Sequence, residues 1–466
     1  MSEPHPAQSA DEVATGDTDE GPGLSMDLVF ALQDALADER VTEVEDLIAG
    51  LHEADAADLL ELLPRDDRKH LVEILGATFD AEILPFLDAS VREEVIEWLG
   101  PTGLARAVSQ LDSDDAFEVF EDLDKEFQHR ILSQLPHAHR MILEEGLSYP
   151  EESAGRLMQR EFVVIPSAWT VGETIDYMRA AKDLPDDFYD IYIVNPKHHP
   201  IGYLPLSRIM RTRRHVRLTE FMETDMKKIP LNMDQEDVAY LFRQYGLVSA
   251  PVVDDAGRLL GVITVDDVVH IIDEEAGEDI MKLGGVREQD LYSAVLDTTK
   301  ARFTWLAINL LTAILASGVI SLFDATIEQI VALAVLMPIV ASMGGNAGTQ
   351  TLTVAVRSLA MKDITEANAG RFIGKELLVG SINGVLFALM AGGVTWLWFD
   401  SGPLGLVIAS AMVINMVVAG LSGTLIPLGL DKLDIDPAIA SSVFLTTITD
   451  VIGFFAFLGL AAAFLL

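Results

Sequence analysis

Five long stretches with almost no charged residue constrain the fold of this chain more than any other feature. Residues 303–323, 329–356, 377–399 and 401–430 contain no Asp, Glu, Lys or Arg, and residues 437–466 contain a single charged residue, Asp450. About 20 apolar residues are enough for a helix to span the hydrocarbon core of a bilayer. The pattern predicts a membrane domain of five transmembrane helices over residues 300–466.

Basic residues near the ends of these stretches predict the orientation of the helices. Lys300 and Arg302 precede the first stretch, four basic residues from Arg357 to Lys375 join the second to the third, and Lys432 joins the fourth to the fifth. Short loops that carry Lys and Arg stay on the cytoplasmic side. We therefore predict a multi-pass protein of the cytoplasmic (inner) membrane, with a cytoplasmic N-terminus and the C-terminus outside.

Asp450 lies near the middle of the fifth stretch, where no Lys or Arg is available to pair with it. A lone carboxylate in hydrocarbon costs about 3 kcal/mol on insertion scales, so it is expected to face a water-filled path or to bind a cation. We expect Asp450 to hold a transported ion. The alternatives are a neutral carboxyl group hydrogen-bonded between helices and a proton-relay acid.

The second stretch is interrupted by Met-Gly-Gly-Asn-Ala-Gly-Thr-Gln over residues 343–350. Taken alone, Gly344 and Gly348 form an ordinary motif for close helix packing. Together with Asn346, Gln350 and Asp450, the segment favours a pore lining in which backbone and side-chain oxygens replace water. Such oxygen ligands suit Mg2+, which keeps most of its hydration shell, but they do not separate Mg2+ from Mn2+ or Ca2+.

An internal repeat organises the region before the membrane domain. Leucines recur every 12 residues from Leu51 to Leu147, preceded in most repeats by two apolar residues and followed by turn-forming residues. Each unit is too short to bury its own apolar face, so neighbouring units must stack. This predicts an α-solenoid over residues 26–150. Residues 1–25, rich in Ser, Gly, Pro and acids, are expected to be a disordered acidic tail.

The next region resembles a tandem CBS pair, an α/β module that dimerises and often binds adenosine nucleotides. Two apolar strand pairs, near residues 191–204 and 250–263, each follow a helical stretch. We assign residues 151–220 and 221–273 to the two modules. In that family a hydroxyl residue followed three positions later by an acid holds the ribose, and Thr264 and Asp267 match it. Pro205 and Arg208 occupy these positions in the first module, which counts against ATP or AMP binding there.

Acidic residues dominate the first 300 positions. The chain has 32 Lys and Arg against 73 Asp and Glu, and only ten of the acids lie in residues 301–466. Nucleic acid is therefore not expected as a partner, because phosphate binding depends on basic residues. Cation binding and a general solubility adaptation to salt both explain the acidity. Seven acids lie within residues 266–279, on a predicted helix that leads into a connecting helix over residues 274–299.

In combination, these features resemble MgtE-type magnesium channels over about residues 26–466. The features are the solenoid, two CBS modules, an acidic connecting helix, and five spans with Gly-Gly-Asn-Ala-Gly-Thr-Gln in the second and Thr-Thr-Ile-Thr-Asp in the fifth. The resemblance implies a homodimer whose ion path runs between two membrane domains. It also implies that cytoplasmic Mg2+ closes the pore.

The resemblance also implies particular ion-binding residues. The pore carboxylate falls on Asp450, with companions at Gly345, Asn346, Thr349, Ser442 and Thr446. Some members carry Asn at the positions of Thr349 and Ser442. Regulatory acids fall on Glu82, Asp114, Glu118, Asp234, Glu236, Asp267, Glu275, Glu278 and Asp279. Gly246 and His270 stand where further acids are expected, so some regulatory sites are expected to be weaker.

A gating hypothesis follows from charge alone. Facing acidic surfaces repel at low Mg2+ and are drawn together when ions bridge them, so that Mg2+ stabilises the closed state. Two other functions stay open: a broader divalent or proton-coupled transporter, and a non-conducting membrane sensor whose CBS pair binds nucleotides. No phosphate-binding loop or hydrolase motif points to an enzyme, and the absence of cysteine excludes disulfide and thiolate sites.

Overall fold

Helices account for most of the fold. In the computed structural model, the described residues are 24–121, 123–182, 184–185, 188–286, 295–365, 367–433 and 435–466. The chain divides into two units: residues 1–150 with 158–161, and residues 151–157 with 162–466. The predicted tail over residues 1–25 lies outside the described residues up to position 23. Ser25 caps the first helix, because its hydroxyl oxygen accepts a hydrogen bond from the Asp27 backbone N–H.

The first unit is an array of short helices. The helices are α1 (Met26–Ala37), α2 (Val41–Ile48), α3 (Glu53–Leu62), α4 (Arg65–Leu75), α5 (Ala89–Val108), α6 (Ser113–Glu121), α7 (Lys125–Leu132) and α8 (His137–Gly146). Short 3-10 turns cover Gly76–Thr78 and Ala81–Ile83. All nine repeat leucines are buried in, or packed against, one apolar core.

Most repeat leucines directly precede the residue that starts the next helix or turn, which explains the 12-residue period. Asp88 and Asp124 act as N-caps of α5 and α7, their carboxylates accepting backbone N–H groups of the first turn. Pro64 and Pro136 occupy the equivalent position before α4 and α8. N-capping satisfies donors that the helix itself cannot satisfy. The predicted α-solenoid is therefore built of helices too short to stand alone.

The second unit begins with two copies of one α/β module. Their elements are α9 (Ala154–Leu157), β1 (Val164–Pro166), α10 (Val171–Ala180), β2 (Asp190–Val194), β3 (Pro200–Pro205), α11 (Leu206–Arg211), a 3-10 turn (Leu218–Glu220), β4 (Ile229–Pro230), α12 (Gln235–Tyr245), β5 (Ser249–Val253), β6 (Leu259–Thr264) and α13 (Val265–Gly284). In each sheet the first two strands are parallel and the last two antiparallel, with a register shift at the same place.

The two modules are tied together by polar contacts between their sheets. The Tyr192 hydroxyl lies 2.6 Å from the Ser249 hydroxyl, which donates to Asp190 at 2.7 Å. Ser153 pairs with Asp234, and the Ala154 N–H donates to a carbonyl of the second module. The first residues of the range predicted for the first module therefore pack on the second one.

Five long apolar helices complete the chain. They are α14 (Val295–Ser321), α16 (Ala332–Ala360), α17 (Ala369–Phe399), α18 (Gly402–Asp431) and α19 (Pro437–Phe464), with the short α15 (Asp324–Gln329) after α14. Each of the five is long and apolar enough to cross a membrane. The predicted architecture, a multidomain α plus α/β chain with a five-helix transmembrane domain, is confirmed.

The connecting helix differs from its predicted range of 274–299. Its first residues continue α13, the last helix of the second CBS module, and residues 295–299 already belong to α14. Gly285, in a left-handed conformation with φ of 68°, ends α13 as glycine commonly does after a helix. Residues 287–294 of the predicted helix lie outside the described residues.

Candidate ion pathway and regulatory site

The polar residues of α16 lie on a face that the protomer leaves exposed. Asn346, Thr349 and Gln350 are exposed, whereas Gly344 and Gly348 are buried. A Cβ atom placed on Gly348 would lie 2.7 Å from the Leu445 side chain of α19. The buried glycines therefore bring α16 and α19 into close contact.

On α19, the predicted pore residues follow one another at helical spacing. Asp450 and Ser442 are partly exposed and Thr446 is exposed. The hydroxyls of Thr446 and Thr349 donate to carbonyls one turn earlier in their own helices, at 2.8 and 2.9 Å. Their oxygen lone pairs therefore remain available to accept hydrogen bonds or to bind a cation.

All six predicted pore residues, which include Gly345 and Asn346, thus lie on two helices that pack against each other. Gly345 is partly exposed, and the Asn346 amide donates weakly to Ser342 at 3.4 Å. Within the described residues, Asp450 has no salt bridge to Lys, Arg or His. The arrangement offers a carboxylate, hydroxyl and amide oxygens in the middle of the membrane domain.

A second group of predicted residues gathers where α12, α13 and α19 meet. Burial, together with the charges of Glu275, Asp234, Asp279 and Asp436, raises the pKa of Glu236 to about 7. Burial also raises the pKa of Glu275, although a 2.6 Å hydrogen bond from Gln235 opposes the rise. Like charges held close together without full hydration favour protonation or a bound cation.

Lys282 of α13 partly compensates this acidic cluster. Its ammonium group lies 2.6 Å from Glu278 and 2.8 Å from Asp436, the N-cap of α19. Burial and the charge of Asp436 raise the pKa of Asp279. The end of α13 is also joined to the membrane helices by apolar contacts, since Leu283 packs against a cluster that includes Leu445.

Two members of this cluster were not predicted from the sequence. Asp436 precedes Pro437, a pattern typical of a helix start. The pattern predicts a helix cap but does not indicate that other acidic residues lie nearby. Burial raises the pKa of Glu152, with a further contribution from Glu278. Glu152 carries no sequence signal, because its proximity to α13 depends on the fold.

The other predicted regulatory acids are placed differently. Glu82, Asp114 and Glu118 belong to the first unit, where Glu118 pairs with Arg92 at 2.5 Å. Asp267 lies at the start of α13, and Gly246 ends α12 in a left-handed conformation. Within the described part of the chain, no group of three or more His, Asp or Glu side chains is close enough to hold a bare metal ion.

The predicted nucleotide residues are in contact with each other. The Thr264 hydroxyl donates to the Asp267 carboxylate at 2.7 Å. Burial raises the pKa of Asp267 to about 6. In the first module, Arg208 instead forms a salt bridge with Glu223 and follows Pro205. The two modules therefore differ at the position that holds a ribose in the CBS family.

Three family profiles match consecutive parts of the sequence. The profile described as MgtE, a divalent cation transporter, matches residues 337–460. The MgtE intracellular N domain matches residues 51–152, and the CBS domain matches residues 218–274.

Curated relatives cover most of the chain. The magnesium transporter MgtE of Thermus thermophilus is 34% identical over 442 residues, which are 93% of this chain and 98% of the relative. That of Enterococcus faecalis is 34% identical over 323 residues, 69% of this chain and 71% of the relative. A solved cytosolic domain of the Mg2+ channel MgtE in complex with ATP is 29% identical and covers 52% of this chain and 99% of its own, with a TM-score of 0.49. Because the Thermus thermophilus transporter is 34% identical over almost its whole length, the chain belongs to the MgtE family of magnesium transporters.

Proposed function

We propose that this chain imports Mg2+ across the cytoplasmic membrane through a pore lined by α16 and α19, and that cytoplasmic Mg2+ closes the pore. One observation carries the proposal: a carboxylate and several neutral oxygens lie at mid-membrane on two packed helices. Carboxylates and carbonyl-type oxygens are the ligands of hard cations. Family membership supports Mg2+ as the ion.

The pore requires a second copy of the chain. Asn346, Thr349, Gln350 and Thr446 are exposed on the surface of a single protomer, at a depth where lipid offers no hydrogen bonds. A homodimer that apposes these faces would enclose them around water and ions, as polar residues within membranes require. The lipid-facing surface would then be formed by the apolar sides of the outer helices.

The direct test is Mg2+ influx into proteoliposomes loaded with a Mg2+-sensitive dye. We expect influx with the wild type at low internal Mg2+ and its loss with Asp450→Asn, because the substitution removes the charge that attracts the ion. Asp400→Asn, in the loop between α17 and α18, is the matched control and should conduct normally. Equal influx in wild type and Asp450→Asn would refute the assignment of the ion site.

Regulation by Mg2+ rests on the acidic cluster of α12, α13 and the start of α19. Hydrated Mg2+ bridges carboxylates through its own water molecules, so a preformed cage of three acids is not required. Binding would offset the repulsion that raises the pKa of Glu236 and would hold α13 against α19. We assign this role to Asp234, Glu236, Glu275, Glu278, Asp279 and Asp436, with Glu82, Asp114, Glu118 and Asp267 as further regulatory acids.

Limited proteolysis of the full chain across a Mg2+ titration tests this regulation. Protection of the cytoplasmic half should increase with Mg2+, and the midpoint should move to higher Mg2+ in Glu275→Gln with Glu278→Gln. An unchanged cleavage pattern across the titration would argue strongly against Mg2+ closure. A pH-gradient dependence of influx in the same preparation would favour a proton-coupled transporter instead.

The contact between Thr264 and Asp267 favours a second ligand, an adenine nucleotide at the second CBS module. A hydroxyl and a carboxylate 2.7 Å apart can both bind the ribose hydroxyls of ATP or AMP. Calorimetry with ATP should give binding to the wild type and none to Thr264→Val with Asp267→Asn. Nucleotide binding without any Mg2+ influx would favour a non-conducting sensor.

The orientation is proposed from the basic loops, with residues 1–300 cytoplasmic and Leu466 outside. Because the chain has no cysteine, a single introduced cysteine is the only thiol that can be labelled, and its labelling shows on which side of the membrane it lies. In right-side-out vesicles, an impermeant maleimide should label Leu466→Cys and should not label Gly257→Cys until the membrane is opened. The reverse labelling would invert the assigned topology.

A further inference from the structure

An amide group lies buried among the apolar helices next to the proposed pore. Asn415, in the middle of α18, is 0% exposed. Its Nδ2 group donates to the Val340 carbonyl of α16 at 2.8 Å. Its Oδ1 atom is buried and accepts no hydrogen bond from the described residues. Burying an unsatisfied oxygen is unfavourable, and a leucine of similar size would avoid that cost.

Two glycines from two other helices make room for this amide. A Cβ atom on Gly344 of α16 would lie 2.2 Å from Asn415 Nδ2, and one on Gly453 of α19 would lie 2.8 Å from the same atom. Any side chain at either glycine would displace the amide. The Asn415 side chain therefore sits in a notch formed jointly by α16 and α19.

The two glycines that form this notch are close in sequence to the proposed ion ligands of their helices. Gly344 directly precedes Gly345 and Asn346, and Gly453 follows Asp450 by three residues, about one helical turn. The amide is hydrogen-bonded to one helix and wedged against the other. It can therefore set the separation and rotation of the helices that carry the pore oxygens.

Given the proposed Mg2+ pore, on which this assignment rests, we propose that Asn415 is a positioning residue for the ion path: its amide fixes Asp450 of α19 relative to Asn346 of α16. Mg2+ binds its ligands at about 2.0–2.1 Å in near-ideal octahedral geometry, whereas Ca2+ accepts longer and more variable distances. A change in helix spacing therefore affects Mg2+ more than Ca2+. Asn415 controls selectivity without touching the ion.

The test compares Asn415→Leu with a matched control in the same helix. Thr424 is also 0% exposed in α18, but its hydroxyl donates only to carbonyls of its own helix. In the proteoliposome assay, Asn415→Leu should raise the Mg2+ concentration for half-maximal influx about tenfold (an expected 1.4 kcal/mol) and strengthen competition by Ca2+. Thr424→Val should stay within about twofold of the wild type. Unchanged half-saturation and Ca2+ competition in folded Asn415→Leu would overturn the proposal.

A second variant covers the case in which Asn415→Leu does not fold. Gly453→Ala keeps Asn415 but displaces its amide group from the notch. This variant should therefore show the same change in half-saturation and Ca2+ competition. A purely structural role would lower the amount of active protein and leave the ratio of Mg2+ to Ca2+ unchanged. Wild-type half-saturation in Gly453→Ala would also count against positioning by the amide.

Failure of the proposed function is distinguishable from failure of this inference. If the wild type conducts no Mg2+, the pore itself is refuted. The positioning of Asp450 is then measured by its reaction with a hydrophobic carbodiimide, with the labelled peptide identified by mass spectrometry and Asp450→Asn as the blank. Asn415→Leu should change the labelling rate severalfold and Thr424→Val should not; equal rates would overturn the assignment.

Discussion

At the scale of single residues, Gly348 decides how closely α16 and α19 approach. A methyl group there would meet the Leu445 side chain at 2.7 Å. Such overpacking typically costs about 1–3 kcal/mol. We expect Gly348→Ala to lower the Tm of the purified protein by several degrees, measured by thermal unfolding in detergent.

Gly393 provides the control for this substitution. It lies in α17, and a Cβ atom there would meet nothing within 4 Å. Gly393→Ala should therefore keep or slightly raise the Tm, because alanine favours the helix. Adding Leu445→Ala to Gly348→Ala should recover part of the loss if the clash is its cause. Equal Tm values for both glycine variants would contradict the close contact.

Some individual residues were predictable from the sequence and others were not. The presence of a carboxylate within the fifth membrane helix was predictable, because Asp450 is the single charged residue in a 30-residue stretch. Asn415 is not, because an uncharged amide in an apolar stretch has no periodic or charge signal. Its significance comes from Gly344 and Gly453, which lie on other helices and become its neighbours only through the fold.

At the scale of elements, the first turn of α12 makes stability depend on pH. Burial, together with the facing acids Glu275, Asp234, Asp279 and Asp436, raises the pKa of Glu236 from an ordinary value of 4.5 to about 7. The folded state binds this proton more tightly than the unfolded chain, so stability falls as the pH rises between these values. In Mg2+-free buffer, Glu236→Gln should raise the Tm at pH 8 and change it little at pH 5.

An exposed acid from the same module serves as the comparison. Asp255 lies in the turn between β5 and β6 and is exposed, so Asp255→Asn should leave the Tm unchanged at both pH values. Saturating Mg2+ should reduce the benefit of Glu236→Gln at pH 8, because the ion offsets the same repulsion. A benefit at pH 5 as large as at pH 8 would show that the ionised carboxylate is not the cause.

Helix α12 also contacts the loop that follows α16. Lys362 pairs with Asp237 of α12 and lies 5.6 Å from the centre of the Tyr240 ring. Arg243 donates to the Met361 carbonyl at 3.5 Å. Because α12 starts at the acidic cluster, it links that cluster to α16, one of the two proposed pore helices. We expect Lys362→Ala to raise, severalfold, the internal Mg2+ that halves influx in proteoliposomes.

Lys432 is the matched control for Lys362. It is an exposed lysine in the loop between α18 and α19, and Lys432→Ala removes the same charge from the side of the membrane that we propose to be cytoplasmic. It should leave the inhibitory Mg2+ concentration within about twofold of the wild type, since long-range charge effects are screened at physiological salt. A shift of equal size in both variants would indicate a general surface-charge effect and not a specific contact.

The elements themselves were largely predictable, whereas their junctions were not. The 12-residue leucine period and the apolar stretches reflect local helix geometry, which sequence records directly. The meeting of α12 with Asp436, about 200 positions later, depends on tertiary contacts. The end of the predicted connecting helix was likewise set by the left-handed Gly285, a conformation that only the structure reveals.

At the scale of the whole molecule, the exposed surface of the membrane domain differs in polarity from helix to helix. The exposed oxygens lie on α16 and α19, whereas α17 exposes large apolar side chains such as Leu397, which is 84% exposed. Lipid can cover the apolar side chains but cannot satisfy the hydrogen-bonding capacity of the exposed oxygens. In the proposed dimer, the second copy would cover the exposed oxygens of α16 and α19.

Cysteine cross-linking tests this pairing, and the chain is suited to it because it contains no cysteine. In native membranes, Thr446→Cys should give covalent dimers with a short bismaleimide, since α19 of one protomer would face α19 of its partner across the pore. Leu397→Cys, which is also exposed but lies among the apolar side chains of α17, should remain monomeric on denaturing gels. Dimers from Leu397→Cys, with Thr446→Cys modified only by a lipid-soluble maleimide, would place the lipid on the polar face and refute the pore.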